Sequence, residues 1–395
     1  MISIREANDL TASILSTHVG FVGPYAKSVT KFYIDIFKVL PELQKPTATE
    51  KTIKAKVLAI KRKDNLTQYK SLLYPILKGK IGIKNEDELK KLKYNKNISP
   101  SAKSYSEIVN SLESLEKNID AILALDFNID QAAKIVLYDS WKNEYKPIVF
   151  LLKQIFDYEG WFSDLSPKEQ YGPYQLAIAL NVKTCAYCNR HYTFSIVDGK
   201  GKKMGRPDFD HFLPKSSNPL LAMSFYNLVP SCKGCNGPSI KSSKPVSYNT
   251  HLNPYEDNLS NGLMRFTYYP NSYEASVGNS EDLQVRLAYS GDSSNANLKA
   301  KIEGNIKLFC LSEIYKYHAD VVQDIIQKRH ISNDKHIEIV QLTFKNFGLT
   351  KEDAYRIAYG NYYLEKDFHK RPLSKLTKDI AIEMKKLVVL PKPKP

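Results

Sequence analysis

With 395 residues, the chain is longer than one ordinary core requires, and at roughly 100–200 residues per domain it has room for two or three. Hydrophobic content of 43% beside 25% charged residues excludes a disordered or fibrous chain, and no apolar run approaches the ~18 residues that span a bilayer. A net charge of +15 favours a polyanionic partner.

The start, "MISIREANDL", carries charges where the apolar stretch of a secretory signal would lie, which places the chain in the cytoplasm. Residues 1–160 read as a helical, basic region. Within it, residues 51–100 hold fourteen Lys/Arg against four acids, a net +10 and two thirds of the whole excess. Solvated helix faces and a phosphate-tracking surface both account for such a run. In "DQAAKIVLYDSWKNEYKPIVFLLKQIF", Ile135, Tyr138, Ile148, Leu151, Leu152 and Ile155 recur at three- and four-residue spacing around Pro147, the pattern of two amphipathic helices.

Residues 161–260 change character, with Gly, Pro and Asn at short intervals in "SPKEQYGPYQ", "DGKGKKMGRPD" and "HLNPYEDN". Residues 261–395 open with two short runs rich in aromatic and β-branched residues, "LMRFTYYP" and "LQVRLAYSGD", which predict strands between 263 and 290. Helical patterns follow from about 294 onward, and Cys310 in "IKLFCLSEI" reads there as a small buried hydrophobe. The fold class is α+β and predominantly helical.

Four of the five cysteines form two Cys-x-x-Cys pairs, Cys185/Cys188 and Cys232/Cys235, with forty-three residues between them. In a reducing compartment two such knuckles supply the four thiolates of a closed, tetrahedral zinc site. Between them lies "DFDHFLPKSSNPLLAMSFYNLVPSCKGCN", which brings Asp210, His211, Asn227 and, after the last cysteine, Asn236.

The joint spacing of these eight residues resembles the HNH nucleases, the zinc-stapled branch of the ββα-metal endonucleases, over residues 185 to about 245. The resemblance implies a metal-dependent endonuclease that hydrolyses phosphodiester bonds in DNA, RNA not being excluded, to leave 5′-phosphate and 3′-hydroxyl ends. It implies structural zinc on the four cysteines, His211 as general base, and Asp210 and Asn236 as ligands of a catalytic Mg²⁺ or Mn²⁺. Asn227 then pins the loop that orients the base. Imidazole suits the role because its ordinary pKa of ~6.5 lets it accept a proton at neutral pH. By the same resemblance "DFDHFLP" and "NLVPSC" are the two strands, and a helix follows Cys235 with Pro238 in its first turn. Relatives commonly carry a lysine three residues after the third motif position, whereas here the first is Lys241.

Plainer readings stand beside these: His211 as a structural histidine, Asn236 as a helix cap, His191 as a strand-face residue, His251 as a neighbour of the site or a bystander. Lys200, Lys202, Lys203 and Arg206, together with Lys215 and Lys241, are the candidate nucleic-acid contacts. The phrase "GNYYLEKDFHKRPLSKLTKDIA" resembles the tail of HNH proteins encoded beside ATPases in bacterial antiphage systems, the Septu and retron-linked types among them, and implies an ATPase subunit as partner. A zinc-ribbon nucleic-acid-binding subunit, silent without its partner, is the alternative reading.

Overall fold

The computed structural model describes residues 1–8, 11–43, 104–163, 171–242, 244–256, 262–291, 295–331 and 334–387. The basic stretch at 51–100 lies outside them. As expected, the architecture is α+β and mostly helical, with a few short strands. Among the described residues no helix is long and apolar enough to cross a membrane. The chain divides into two compact units, residues 12–172 with 213–228, and residues 1–11 with 173–212 and 229–395.

The first unit is built on α1 (Thr11–Leu43), α2 (Tyr105–Leu123), α3 (Gln131–Glu144) and α4 (Val149–Ile155). Val22, Ala26, Val29, Tyr33 and Phe37 repeat at helical spacing along α1 and are buried, as are Ile108, Leu112, Leu115, Ile119 and Ile122 on α2. Ion pairs Lys27–Asp120, Lys31–Glu116 and Lys38–Glu113 rise along one helix as they fall along the other, so the two run antiparallel. Each such exposed pair adds about 0–1 kcal/mol and serves mainly to fix register. At Gly23 α1 passes close to α2, where an added Cβ would lie 2.6 Å from the end of the Asp120 side chain. Pro147 stands where expected, in a 3₁₀ turn (Lys146–Ile148) that ends α3 and starts α4.

The second unit contains α5 (Pro173–Leu180), a hairpin of β1 (Ile196–Val197) and β2 (Lys203–Gly205), the bonded pair β3 (Asp208–His211) and β4 (Leu228–Ser231), and the short α6 (Lys233–Asn236). A second hairpin follows, β5 (Met264–Pro270) against β6 (Leu283–Tyr289), antiparallel from Met264↔Tyr289 to Pro270↔Leu283. It occupies the predicted interval. Strand alternation buries Met264, Phe266 and Tyr268 with Leu283, Val285 and Leu287 on one face. Helices α7 (Ala296–Leu308), α8 (Leu311–Tyr315), α9 (Ala319–Ile331), α10 (Asp334–Thr343), α11 (Lys351–Tyr359) and α12 (Ser374–Leu387) complete the unit. Asp379 on α12 accepts the Phe266 amide at 3.0 Å and pairs with Lys375, fastening helix to hairpin.

Two expectations are corrected. Cys310 is not inside a helix: it joins α7 to α8 with a left-handed backbone (φ 49°) and is half-buried. The helix expected after Cys235 is absent, and the helical turn lies between the cysteines instead, ending at Asn236. Gly237 precedes Pro238 and is extended (φ −66°, ψ 159°), the conformation that the proline ring imposes on its predecessor.

Candidate metal centre and the Asp210–His211 strand

Both knuckles follow from local backbone chemistry. Around the first, the Cys185 amide donates to the His191 carbonyl (2.9 Å) and the Asn189 amide returns to Cys185 O (2.9 Å), closing a tight turn. Asn189 has φ +50°, a region that asparagine enters more readily than most side chains. In the second, Cys232 caps α6, its sulfur accepting the Cys235 amide at 3.4 Å.

Together they bring four buried, unbridged cysteines into one cluster, with every sulfur within 4.8 Å of the others. A tetrahedron with 2.3 Å metal–sulfur bonds has edges of about 3.8 Å, and Cys188 Sγ lies 3.9 Å from Cys232 Sγ. The donor set, its burial and its spacing can hold a metal ion such as zinc. Burial pushes the Cys185 thiol up; a bound divalent cation would offset that cost by stabilising the thiolates. His191 contributes its carbonyl to the turn and its side chain is exposed, outside the cluster.

Sequence reasoning missed what holds the first knuckle. The buried Asn189 amide donates to Thr184 Oγ1 (3.0 Å), Phe368 O (3.0 Å) and Arg371 O (3.2 Å), while its side-chain oxygen accepts the Lys375 amide (3.3 Å) and its backbone oxygen accepts the Leu373 amide (2.7 Å). The only hint in the sequence was an asparagine directly after each knuckle. Asn189→Gly keeps the backbone but deletes the amide's bonds, whereas Asn189→Ala also strains the turn. We expect thermal unfolding to rank them wild type, Gly, Ala, with about 2–3 kcal/mol lost in the first step and about 1 kcal/mol more in the second. Equal stability of all three would show that the stitch contributes nothing.

Strand β3 carries Asp210 and His211, both buried, and its partner β4 leads directly into Cys232. One oxygen of Asp210 accepts the Tyr187 hydroxyl at 2.5 Å. The other takes the Lys241 ammonium at 2.8 Å, and that same ammonium donates to the His211 carbonyl. The Lys241 and Asp210 side chains are 1% and 3% exposed. Burial first, and the Asp210 charge and hydrogen bond next, push the Tyr187 phenol well above its usual range, so it stands as a neutral donor stacked on Phe309, ring centroids 4.1 Å apart.

Lys241 is therefore not a surface contact for phosphate, as its place among the basic residues suggested. Lying five residues past Asn236 and beyond the Gly237-Pro238 break, it turns inward and neutralises the carboxylate. His251 belongs to the same neighbourhood: burial lowers its proton affinity first, and the Lys241 charge lowers it further. It is held there by Asn305, which clamps Leu252 from both sides (2.8 and 3.0 Å), and by Gly304, whose missing Cβ makes room for the Thr250 carbonyl.

Asn227, in the first unit, accepts the Leu213 amide (2.7 Å) and donates to the carbonyls of Leu213 (3.1 Å) and Leu221 (2.9 Å), closing the loop that begins two residues after His211. Lys215 pairs with Glu159 at 2.6 Å. Lys200 and Lys202 are exposed at the tip between β1 and β2, and Lys203 and Arg206 reach over the Tyr174 ring. Asn236 is half-buried at the end of α6.

As they stand, the residues around Asp210 do not form a divalent-cation site. Both carboxylate oxygens are engaged, one by a cation already, and among the described residues no cluster of three metal-ligating acid, histidine or cysteine side chains occurs besides the four cysteines.

No protein-family model matches the chain, and no solved structure does. Over 84 residues it is 36% identical to the Septu protein PtuB of Bacillus thuringiensis, a stretch covering 21% of this chain and 29% of that protein. Over that stretch, under a third of the relative's length, the chain is similar to a Septu protein.

Proposed function

We propose that the chain is an HNH-type endonuclease that hydrolyses phosphodiester bonds in DNA as an effector of antiphage defence, alongside an ATPase subunit. The observation that carries this reading is the Asp210–His211 pair on a strand bonded to the strand that enters the four-cysteine cluster. Partial similarity to a Septu protein supports the defence setting, together with the resemblance carried by the sequence motifs. In this reading zinc on the cysteines fixes the ends of the site, His211 takes a proton from the attacking water, and Asn227 holds the following loop in place. A Mg²⁺ or Mn²⁺ at Asp210 and Asn236 would supply positive charge to the phosphate; to bind there it has to displace the Lys241 ammonium.

That ion pair favours a second reading, a zinc-ribbon nucleic-acid-binding subunit whose Asp210 stays locked until a partner acts. Supercoiled plasmid incubated with Mg²⁺, Mn²⁺ or EDTA distinguishes the two, with zinc content followed alongside. The nuclease reading expects metal-dependent nicking that falls by about 10²–10⁴-fold in His211→Ala, the range for a general base. If neither protein cuts while both bind DNA and keep their zinc, the nuclease reading of the isolated chain is wrong and the binding-subunit reading stands.

A further inference from the structure

The β1–β2 hairpin and the segment leading into it, where Tyr192 bridges Thr184, expose a surface that the proposed hydrolysis does not use. Directly after the first knuckle, Thr193 points inward, donating its hydroxyl to Val182 O at 3.2 Å. Its neighbours on either side, Tyr192 and Phe194, are 50% and 48% exposed. Their rings stack on one another, centroids 4.5 Å apart and 20° from parallel. Ile196, two residues on, is exposed as well.

The tip is rigid. The Asp198 carboxylate accepts the Lys200 and Lys202 amides at 2.9 and 2.7 Å, and Gly201 takes the left-handed φ (+82°) that the turn demands. Lys200 and Lys202 are exposed at the end of the ribbon, while Lys203 and Arg206 lie over the Tyr174 ring at its base. From residue 190 to 206 the chain carries five Lys/Arg against one acid, Asp198, and that acid's carboxylate is spent on the turn.

Exposed, stacked aromatic rings on the segment that leads to a tip with two exposed lysines suit single-stranded nucleic acid. An unpaired base can extend the Tyr192–Phe194 stack while the lysines follow its phosphates; in a duplex the bases are already stacked and offer these rings no face. A protein partner with an apolar surface would gain nothing from the cations, and an acidic one nothing from the rings. We infer that this hairpin is a stacking platform for unpaired nucleotides, which deepens the proposed function by making its substrate single-stranded DNA or a locally opened duplex.

The test measures binding of the full chain to equal-length single-stranded and duplex DNA by fluorescence anisotropy, without added Mg²⁺ or Mn²⁺. Removing both rings in Tyr192→Ala/Phe194→Ala should weaken single-strand binding at least tenfold and change duplex binding less than threefold. Lys200→Ala/Lys202→Ala should weaken both, with the slope of log affinity against log salt falling by about 0.7 per cation for the single strand. The inference fails if the ring variant binds single strands as the unaltered chain does, if it loses both forms of DNA equally, or if it loses a protein partner while DNA binding persists. Cleavage is not read in this experiment, so failure of the platform and failure of the nuclease reading are separable. Both ring side chains are half exposed, and retained zinc and an unchanged melting temperature exclude misfolding as the cause.

Discussion

Replacing Cys232 with serine is expected to release the metal and cost the chain more stability than the loss of any one hydrogen bond or ion pair. The four sulfurs are buried and within 4.8 Å of one another, so without a cation they place several ionisable groups in one dry pocket. Structural zinc contributes on the order of 10–16 kcal/mol of apparent binding energy in small zinc peptides. Here β5, β6 and α12 bury apolar side chains of their own, so we expect a smaller but still dominant effect: unfolding of the second unit shifted by more than ~10 °C, at roughly 2–4 °C per kcal/mol for a unit of this size. Zinc measured at one ion per chain, falling to near zero in Cys232→Ser, checks the site. Full zinc content and an unshifted transition in the variant would show that the four cysteines hold no structural metal.

The second large effect belongs to the buried ion pair. In Lys241→Met the Asp210 carboxylate keeps only the Tyr187 hydroxyl, at 3% exposure. Breaking one half of a buried pair typically costs about 3–5 kcal/mol, because the remaining charge is left without compensation. Removing that charge as well should restore most of the loss: Asp210→Asn/Lys241→Met keeps an oxygen for the Tyr187 hydroxyl and leaves no ion. Urea unfolding of the two single variants and the double variant gives the coupling directly. Should the double variant prove no more stable than Lys241→Met, the ammonium is not held by Asp210.

The cysteine cluster was legible because ligand spacing is itself a geometric statement, and two knuckles that each fold locally need only be brought together. Strands β5 and β6 were legible because short aromatic and β-branched runs between turn residues leave little choice of conformation, whereas β3 and β4, buried along nearly their whole length, were placed by the resemblance. The burial of Lys241 was not, since its side chain reads as solvated in any scan by composition, and only the Gly237-Pro238 break turns it inward. Neither was the role of Asn189, whose partners lie some 180 residues further along. Nor could periodicity reveal that Tyr192 and Phe194 remain uncovered, because alternation assigns a face without naming what, if anything, packs on it. The division into units was hidden too: residues 213–228 join the helices of the first unit although both flanking segments belong to the second, a choice made by tertiary packing.

The bonds from Asn189 to Phe368, Arg371, Leu373 and Lys375 also set a timetable. At about 5–20 residues per second of synthesis, the first knuckle leaves the ribosome roughly ten to forty seconds before the backbone groups that complete it. During that interval the turn has only its local bonds, among them the Asn189 backbone amide to Cys185 O and its side-chain amide to Thr184 Oγ1. The knuckle can therefore turn as it emerges, but its tie to the C-terminal segment is made only once residues 368–375 have been synthesised.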